Sequence, residues 1–294
     1  DVTIDLGGFV IDGGNVGGDG IVVAARLPDF HYGLAVRNGN AERWTKAGFN
    51  LQTSVDAVAE NLTASHNDVG IRFNKGSLTA CTASANTSIG IQSGPGVISH
   101  CNAQLNGTGF VLDSASLSDC NATSNMGVGI KLKGGSVDDC TVTANVGGGL
   151  FLDAGTISAS STVRGNAIDF NGGNGITMDS IGSLVESNTV QNSSGSGIFT
   201  DGQDNRIRGN TSSRNGGEGL EILGSFNMVD DNSALENADY GIFVGIGVKN
   251  TIVRNSATGN RAGSDGANYA IPSGQNAGPV GAAASVTQPW SNTQ

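Results

Sequence analysis

Short runs of alternating apolar and polar residues recur along the chain, and most begin with a Gly followed by an apolar residue. After Gly129 the run reads Ile130-Lys131-Leu132, which places its two apolar side chains on one side of a strand. Such short runs with period-two alternation predict β-strands, since they are too short for helices. The repeated pairs are Gly70-Ile71, Gly90-Ile91, Gly109-Phe110, Gly129-Ile130, Gly149-Leu150, Gly175-Ile176, Gly197-Ile198, Gly219-Leu220 and Gly241-Ile242.

Successive pairs are separated by 20, 19, 20, 20, 26, 22, 22 and 22 residues. One such unit cannot bury its own apolar side, so the units must stack on one another. We therefore predict an all-β fold, a single-stranded right-handed parallel β-helix of about 10–12 coils of roughly 20–22 residues. The regular repeat predicts this solenoid over residues 1–262, and the Gly-, Ala- and Ser-rich residues 263–294 are interpreted as an irregular C-terminal cap or tail.

Two further columns accompany the Gly column. One lies nine residues before the Gly, with Cys101 displaced by one residue, and the other is an Asn about four residues before it. Asn tolerates the left-handed turn conformation, and stacked amides can bond to each other along the solenoid. The first column is Asn61, Cys81, Cys101, Cys120, Cys140, Asn166, Asn188, Asn210 and Asn232, and the second is Asn86, Asn125, Asn145, Asn171, Asn215 and Asn237. His66 occupies the second column in its coil and is interpreted as a turn residue.

The four Cys share one column, so stacking would bring their Cα atoms about 4.8 Å apart. Parallel Cα–Cβ bonds leave the Cβ atoms farther apart than the ~3.8 Å that a disulfide prefers. We expect four buried free thiols that act as small apolar side chains.

These columns resemble the generic repeat of the pectate-lyase-like superfamily of right-handed β-helices, above all its Gly- and Asn-rich bacterial members of unassigned function. The opening Val2–Phe9, the segment Val36-Arg37-Asn38-Gly39 and Pro289-Trp290 are similar too. The resemblance implies the fold and a location that is secreted or at the cell surface. It leaves the activity open, because the superfamily contains lyases, hydrolases, epimerases, tailspike glycosidases and adhesins. Of the polygalacturonase signatures, only Arg-Ile-Lys has a similar segment in this chain, which is Arg206-Ile207-Arg208.

One predicted face carries the candidate chemistry, because its outward side chains combine Phe rings with carboxylates. The outward residue after each apolar position is Arg72, Gln92, Val111, Lys131, Phe151, Thr177, Phe199, Glu221 or Phe243. Two residues further stand Asn74, Gly94, Asp113, Lys133, Asp153, Asp179, Asp201, Leu223 and Gly245. The candidate catalytic residues are Asp153, Asp179 and Asp201, and the candidate substrate-binding residues are Lys131, Lys133, Phe151, Phe199, Glu221 and Phe243.

Carboxylates on adjacent coils would lie about 5 Å apart, as in retaining glycosidases, and those two coils apart would approach the inverting separation. Asp153 with Asp179 is a pair of the first kind, and Asp113 with Asp153 is one of the second kind. Three aligned carboxylates would alternatively hold Ca²⁺, and a purely structural role in ending strands is also open. No metal site is assigned.

Formal net charge is −11, which argues against nucleic acid as a partner, and no apolar run is long enough to span a membrane. We expect a protein that interacts with a polysaccharide. If it is an enzyme, we expect a lyase or a glycoside hydrolase that acts on a chain-like glycan. The alternative is a non-catalytic structural or adhesive solenoid. The sequence does not choose between a monomer and a trimer.

Overall fold

The computed structural model describes residues 2–23, 31–153, 160–261, 268–281 and 288–294. These residues contain strands and no helix, and the strands pair in parallel. They stack as a β-solenoid of about ten turns. This confirms the predicted all-β parallel β-helix. Within the same residues no helix has the length and apolar character needed to cross a membrane.

The chain forms two compact units. The N-terminal unit comprises residues 1–141 with 145–147, and the C-terminal unit comprises 142–144 with 148–294. The first strands are β1 Val2–Asp5, β2 Val10–Asp12, β3 Ile21–Val22, β4 His31–Tyr32, β5 Leu34–Glu42, β6 Ala47–Leu51, β7 Ser54–Val55, β8 Ala57–Ser65, β9 Val69–Phe73, β10 Gly76–Thr79, β11 Thr82–Ser84, β12 Ile89–Ser93, β13 Val97–Ser99, β14 Asn102–Gln104, β15 Thr108–Ser118, β16 Asn121–Thr123, β17 Val128–Asp138 and β18 Thr141–Thr143. The remaining strands are β19 Gly148–Leu152, β20 Ser161–Arg164, β21 Ala167–Asp169, β22 Ile176–Met178, β23 Leu184–Glu186, β24 Thr189–Gln191, β25 Ile198–Thr200, β26 Arg206–Arg208, β27 Thr211–Ser213, β28 Leu220–Ile222, β29 Met228–Asp230, β30 Ser233–Leu235, β31 Ile242–Val244, β32 Thr251–Val253, β33 Ser256–Thr258, β34 Tyr269–Ala270, β35 Asn276–Ala277, β36 Val280–Gly281 and β37 Asn292–Thr293.

Each regular coil contributes three strands, which we call A, B and C in chain order. In the coil that starts at β22, the A, B and C strands are β22, β23 and β24. Each strand pairs with its counterpart in the next coil, as β22 does with β25 and β23 with β26. The A strands, which follow the repeated Gly residues, therefore form one continuous face in each unit.

Alternation along these strands decides which side chains form the core. In β25, Ile198 is fully buried while Phe199 remains half-exposed. The same inward positions recur coil after coil, so each apolar side chain packs between its counterparts above and below. Burial of these stacked positions supplies the driving force that no single coil has.

Buried amide ladders run through the turns between strands. The backbone N–H of Asn188 donates to Oδ1 of Asn210 at 2.9 Å, and Asn210 repeats the contact with Asn232 at 3.0 Å. This ladder lies between the B and C strands, and a second one between the C strands and the next A strands contains Asn215 and Asn237. The predicted amide–amide bonding is confirmed.

Two column assignments from the sequence are wrong. Asn61 and His66 have positive φ angles and lie one residue before the buried positions, which Leu62 and Asn67 occupy. The left-handed conformation thus belongs to the residue that precedes each ladder position. The ladder side chain itself points inward, where it replaces the backbone partners that the turn removes.

A third ladder, between the A and B strands of the C-terminal unit, was not predicted. It runs from Ser161 through Ser183, Asn205 and Asn227 to Asn250. Its column begins with Ser, so the Asn pattern alone does not reveal it.

The end of the chain provides the last amide of all three ladders. Asn268, Gln275 and Asn292 accept backbone N–H groups from Asn260, Asn250 and Asn255, respectively. Strands β34, β35 and β37 pair with β31, β32 and β33. The predicted boundary between 262 and 263 falls in residues 262–267, outside the described part of the chain.

The four Cys are buried thiols that form no disulfide, as expected. They continue the ladder between the B and C strands in the N-terminal unit, since the backbone N–H of Cys101 donates to Sγ of Cys120 at 3.2 Å. The hydrogen bond with the Cys101 thiol and, to a smaller extent, burial raise the pKa of Cys81, so this thiol stays neutral.

The repeated Gly permits close contact between coils. A Cβ at Gly219 would lie 2.6 Å from the carbonyl oxygen of Gly241 and 2.7 Å from Nδ2 of Asn237. We expect Gly219→Ala to lower the free energy of unfolding by about 1–3 kcal/mol, because the neighbouring backbone must shift. Urea denaturation followed by circular dichroism measures this. The matched control is Gly17→Ala, whose Cβ would meet only Oγ1 of Thr45 at 3.7 Å; equal losses in the two variants would contradict the packing explanation.

Candidate functional site

The A strands of the C-terminal unit present one outward row of side chains. Register pairs Phe151 with Thr177, Thr177 with Phe199, Phe199 with Glu221, and Glu221 with Phe243. All five side chains are half-exposed. We call this row the A-face row. The structure brings together in it three Phe rings and the carboxyl that the sequence had selected.

Aromatic side chains flank Glu221 within this row. Phe199 and Phe243 occupy the same position one coil before and one coil after it. The Phe243 ring stacks on Tyr240, with centroids 5.7 Å apart and planes inclined by 30°. Tyr240 lies in the turn before β31, and the sequence analysis did not select it.

Glu221 shares a hydrogen-bonding partner with a second carboxyl. Oγ of Ser196 lies 2.7 Å from Oε2 of Glu221 and 3.0 Å from Oε2 of Glu218. A hydroxyl has a single proton to donate, so both contacts are satisfied when one of the carboxyls is protonated and donates to Oγ. Because both carboxyl oxygens lie this close to Oγ of Ser196, the distance between them cannot exceed the sum of the two contact distances.

Ser196 is itself held in place by the preceding coil. Its backbone N–H donates to Oδ1 of Asn174 at 2.9 Å, and Nδ2 of Asn174 donates to Oγ1 of Thr177 at 3.3 Å. Asn174, Ser196 and Glu218 all lie in the turns that lead into A strands. Strand periodicity cannot select such residues, and their only signal in the sequence is that each lies three residues before the outward position.

The pKa of Glu221 is higher than that of an ordinary glutamate carboxyl. Partial burial raises its pKa, the Ser196 hydroxyl opposes that shift, and the negative charges of Glu218 and Asp239 raise it further. A carboxyl with a raised pKa keeps its proton at higher pH and is better suited to act as a general acid.

The predicted catalytic carboxylates form a second row beside the first. Asp153, Asp179 and Asp201 directly follow β19, β22 and β25 on consecutive coils, with Asp179 and Asp201 exposed. Partial desolvation of its carboxyl and the charges of Asp201 and Asp153 raise the pKa of Asp179. In the described residues, no three His, Cys, Asp or Glu side chains are grouped in a way that could hold a metal ion.

The two predicted substrate-binding lysines lie on β17. Lys131 and Lys133 belong to the N-terminal unit, where they pair in register with Val111 and Asp113. Lys131 thereby extends, through Val111, a row that contains Arg72 and Gln92. The A face of that unit is therefore partly cationic, in contrast to the A-face row.

Elsewhere in the C-terminal unit, charged side chains neutralise each other. Nε of Arg208 donates to Oε1 of Glu186 at 3.0 Å, and Arg254 is ion-paired with Asp230. This mutual pairing is typical of a structural charge ladder on a solvated face.

The family model described as right-handed β-helix region matches residues 14–146 and 114–258. The chain belongs to this family. No curated protein sequence matches this β-helix protein. Among solved structures, it is similar to the periplasmic alginate epimerase AlgG, with a TM-score of 0.60 and 11% identity over 93% of this chain and 81% of that one.

Two other solved structures share the fold. The Dettilon tailspike protein has a TM-score of 0.56 and 15% identity over 91% of this β-helix chain and 60% of its own. An alginate lyase from Paenibacillus sp. has a TM-score of 0.54 and 13% identity over 92% and 99% of the two chains. At these identities the similarity establishes the fold alone.

Proposed function

We propose that this β-helix protein binds a chain-like glycan along the A-face row. The observation that carries the proposal is the alternation of Phe199, Glu221 and Phe243 on successive coils. The C–H faces of sugar rings pack on aromatic rings, while carboxylates accept hydrogen bonds from sugar hydroxyls. Both kinds of contact are needed for a ligand that is part apolar and part hydroxylated.

The repeat of the fold suits a polymer. Adjacent coils are spaced by about 4.8 Å, so the row offers equivalent positions at a regular interval along its length. A linear glycan repeats in the same manner and can contact several coils at once. The epimerase and the lyase with this fold are both named for alginate, a chain polysaccharide, which supports the ligand class.

The same proposal places the protein outside the cytoplasm or at the cell surface, where polymeric glycans occur. Ca²⁺ could bridge the protein and its glycan, and the proposal does not require it. Binding is therefore to be measured both with Ca²⁺ and with EDTA.

Affinity electrophoresis and calorimetry with a panel of soluble polysaccharides test the proposal. We expect Phe199→Ala and Phe243→Ala each to weaken binding by about tenfold or more, because each removes a stacking surface. The matched control is Phe170→Ala, a ring that is 65% exposed but lies in a turn away from the A strands. If no polysaccharide binds, or if all three variants behave alike, the alternative of a structural or adhesive solenoid is favoured.

A second candidate function is cleavage of the bound glycan, and one specific observation favours it. Glu218 and Glu221 approach each other through Ser196, and the pKa of Glu221 is raised. Retaining glycosidases use two carboxyls about 5–5.5 Å apart, one of which must be protonated. The assignment moves the predicted acid from the row of Asp153, Asp179 and Asp201 to Glu221.

A further inference from the structure

Within the C-terminal unit, the ionisable side chains of the A strands and of the turns that flank them are mostly acidic. Strands β22, β25, β28 and β31 contain no Lys or Arg, and Glu221 is their only charged residue. The turns on either side of these strands and of β19 add further carboxyls. They are Asp153, Asp179, Asp201, Asp204, Glu218 and Asp239.

Two of the basic side chains nearest to these strands in the sequence, Lys249 and Arg214, have partners away from the row. Nζ of Lys249 lies 5.6 Å from the centroid of the Phe226 ring, and both residues belong to turns between A and B strands. Nη2 of Arg214 donates to Oε1 of Gln191 at 3.1 Å, on the side of the C strands. Neither contact directs a cation to the A-face row.

The carboxyls are close enough to influence each other. Asp153 and Asp201 both act on Asp179, and Glu218 and Asp239 both act on Glu221, in each case against ionisation. A carboxylate on a bound sugar would meet the same repulsion, since it brings another negative charge into the same surface. An ammonium group would relieve the repulsion, and a hydroxyl would be neutral to it while still donating hydrogen bonds.

We infer that the glycan bound along the A-face row is not a polyuronate, but a polymer of amino-bearing or uncharged sugars. The inference rests on the proposed function and names the ligand class of the same site. It separates this chain from the alginate-acting proteins that share its fold. The order of affinity follows from charge, with the amino-bearing glycan bound most tightly, the neutral one next and the anionic one least.

Three β-1,4-linked oligosaccharides of equal length test this order, namely those of glucosamine, N-acetylglucosamine and mannuronate. The full chain is titrated with each by calorimetry near neutral pH and at low salt. Only binding that is lost in Phe243→Ala is counted, so that binding to the partly cationic A face of the N-terminal unit does not enter. We expect glucosamine oligomers to bind at least about tenfold more tightly than mannuronate oligomers, and the gap to shrink as salt is added.

Charge-neutralising variants sharpen the test. Asp179→Asn combined with Glu218→Gln should reduce the preference for glucosamine over mannuronate, whereas Asp56→Asn, an exposed position in the other unit, should leave it unchanged. Mannuronate binding that equals or exceeds glucosamine binding, and that is lost in Phe243→Ala, would overturn the inference while leaving glycan binding by the row intact. If none of the three oligosaccharides shows binding that depends on Phe243, the proposed function fails and the inference fails with it.

Discussion

Asn210→Ala will lower the free energy of unfolding by about 3–5 kcal/mol, because it leaves several buried polar groups without partners at once. Nδ2 of Asn210 donates to the carbonyl oxygens of Val185 and Arg208, each at 3.0–3.1 Å. Its Oδ1 accepts the backbone N–H of Asn188 at 2.9 Å and Nδ2 of the same residue at 3.0 Å. The side chain is 1% exposed, so water cannot replace these bonds without opening the turn. Urea denaturation followed by circular dichroism measures the loss.

The N-terminal unit supplies a graded comparison. At the equivalent column, Sγ of Cys120 accepts the backbone N–H of Cys101, so a thiol can serve this ladder as an acceptor. Asn210→Cys should therefore lose less stability than Asn210→Ala. Asn121→Ala serves as the control, because Asn121 is exposed and its Nδ2 makes one bond, at 2.8 Å, to Oδ1 of Asn102. The explanation fails if Asn210→Ala costs no more than Asn121→Ala, or if Cys and Ala at 210 are equivalent.

Much of this fold follows from sequence because each coil repeats the same physical requirement. A Gly is needed where a Cβ would meet the next backbone, and an apolar residue is needed wherever a strand faces inward. The register between strands then follows, because residues of the same type stack on one another in successive coils. Asn61 and His66 were misassigned because spacing was counted from the Gly in an early, irregular coil. Counting residues back from the Gly cannot distinguish the turn residue with a positive φ from the inward-facing residue that follows it, since a polar residue can occupy either position.

The candidate site was only partly predictable, for a related reason. Period-two alternation places Phe199, Glu221 and Phe243 outward in one row, since all three lie within strands. It does not describe the turns, where Ser196 and Glu218 reach back to the strand carboxyl. The shared column also groups Lys131 with Phe199, and this grouping stays a prediction.

Glu221→Gln should strongly reduce the rate of glycan cleavage while making the folded protein more stable at neutral pH. If Glu221 protonates the leaving oxygen, its loss should lower kcat by about 10²-fold or more, since general acid catalysis contributes roughly 10²–10⁴-fold. The pKa of Glu221 is raised above its unfolded value, so the folded state holds the proton more tightly. Stability therefore falls as pH rises from the unfolded pKa through the folded pKa, and it remains lower above that range. Gln cannot ionise and avoids this penalty.

Comparison of the two pH regions separates catalysis from simple structural damage. The stabilising effect of Glu221→Gln should be present at neutral pH and vanish below the ordinary pKa of a glutamate, where both proteins carry an uncharged side chain. Thermal unfolding at each pH measures it, and reducing-end release from the glycan that binds measures activity. Glu236→Gln is the control, because Glu236 is an exposed carboxyl in a turn outside the A-face row. Full activity in Glu221→Gln would remove Glu221 as the acid and return Asp179, a second carboxyl with a raised pKa, as the residue to replace next.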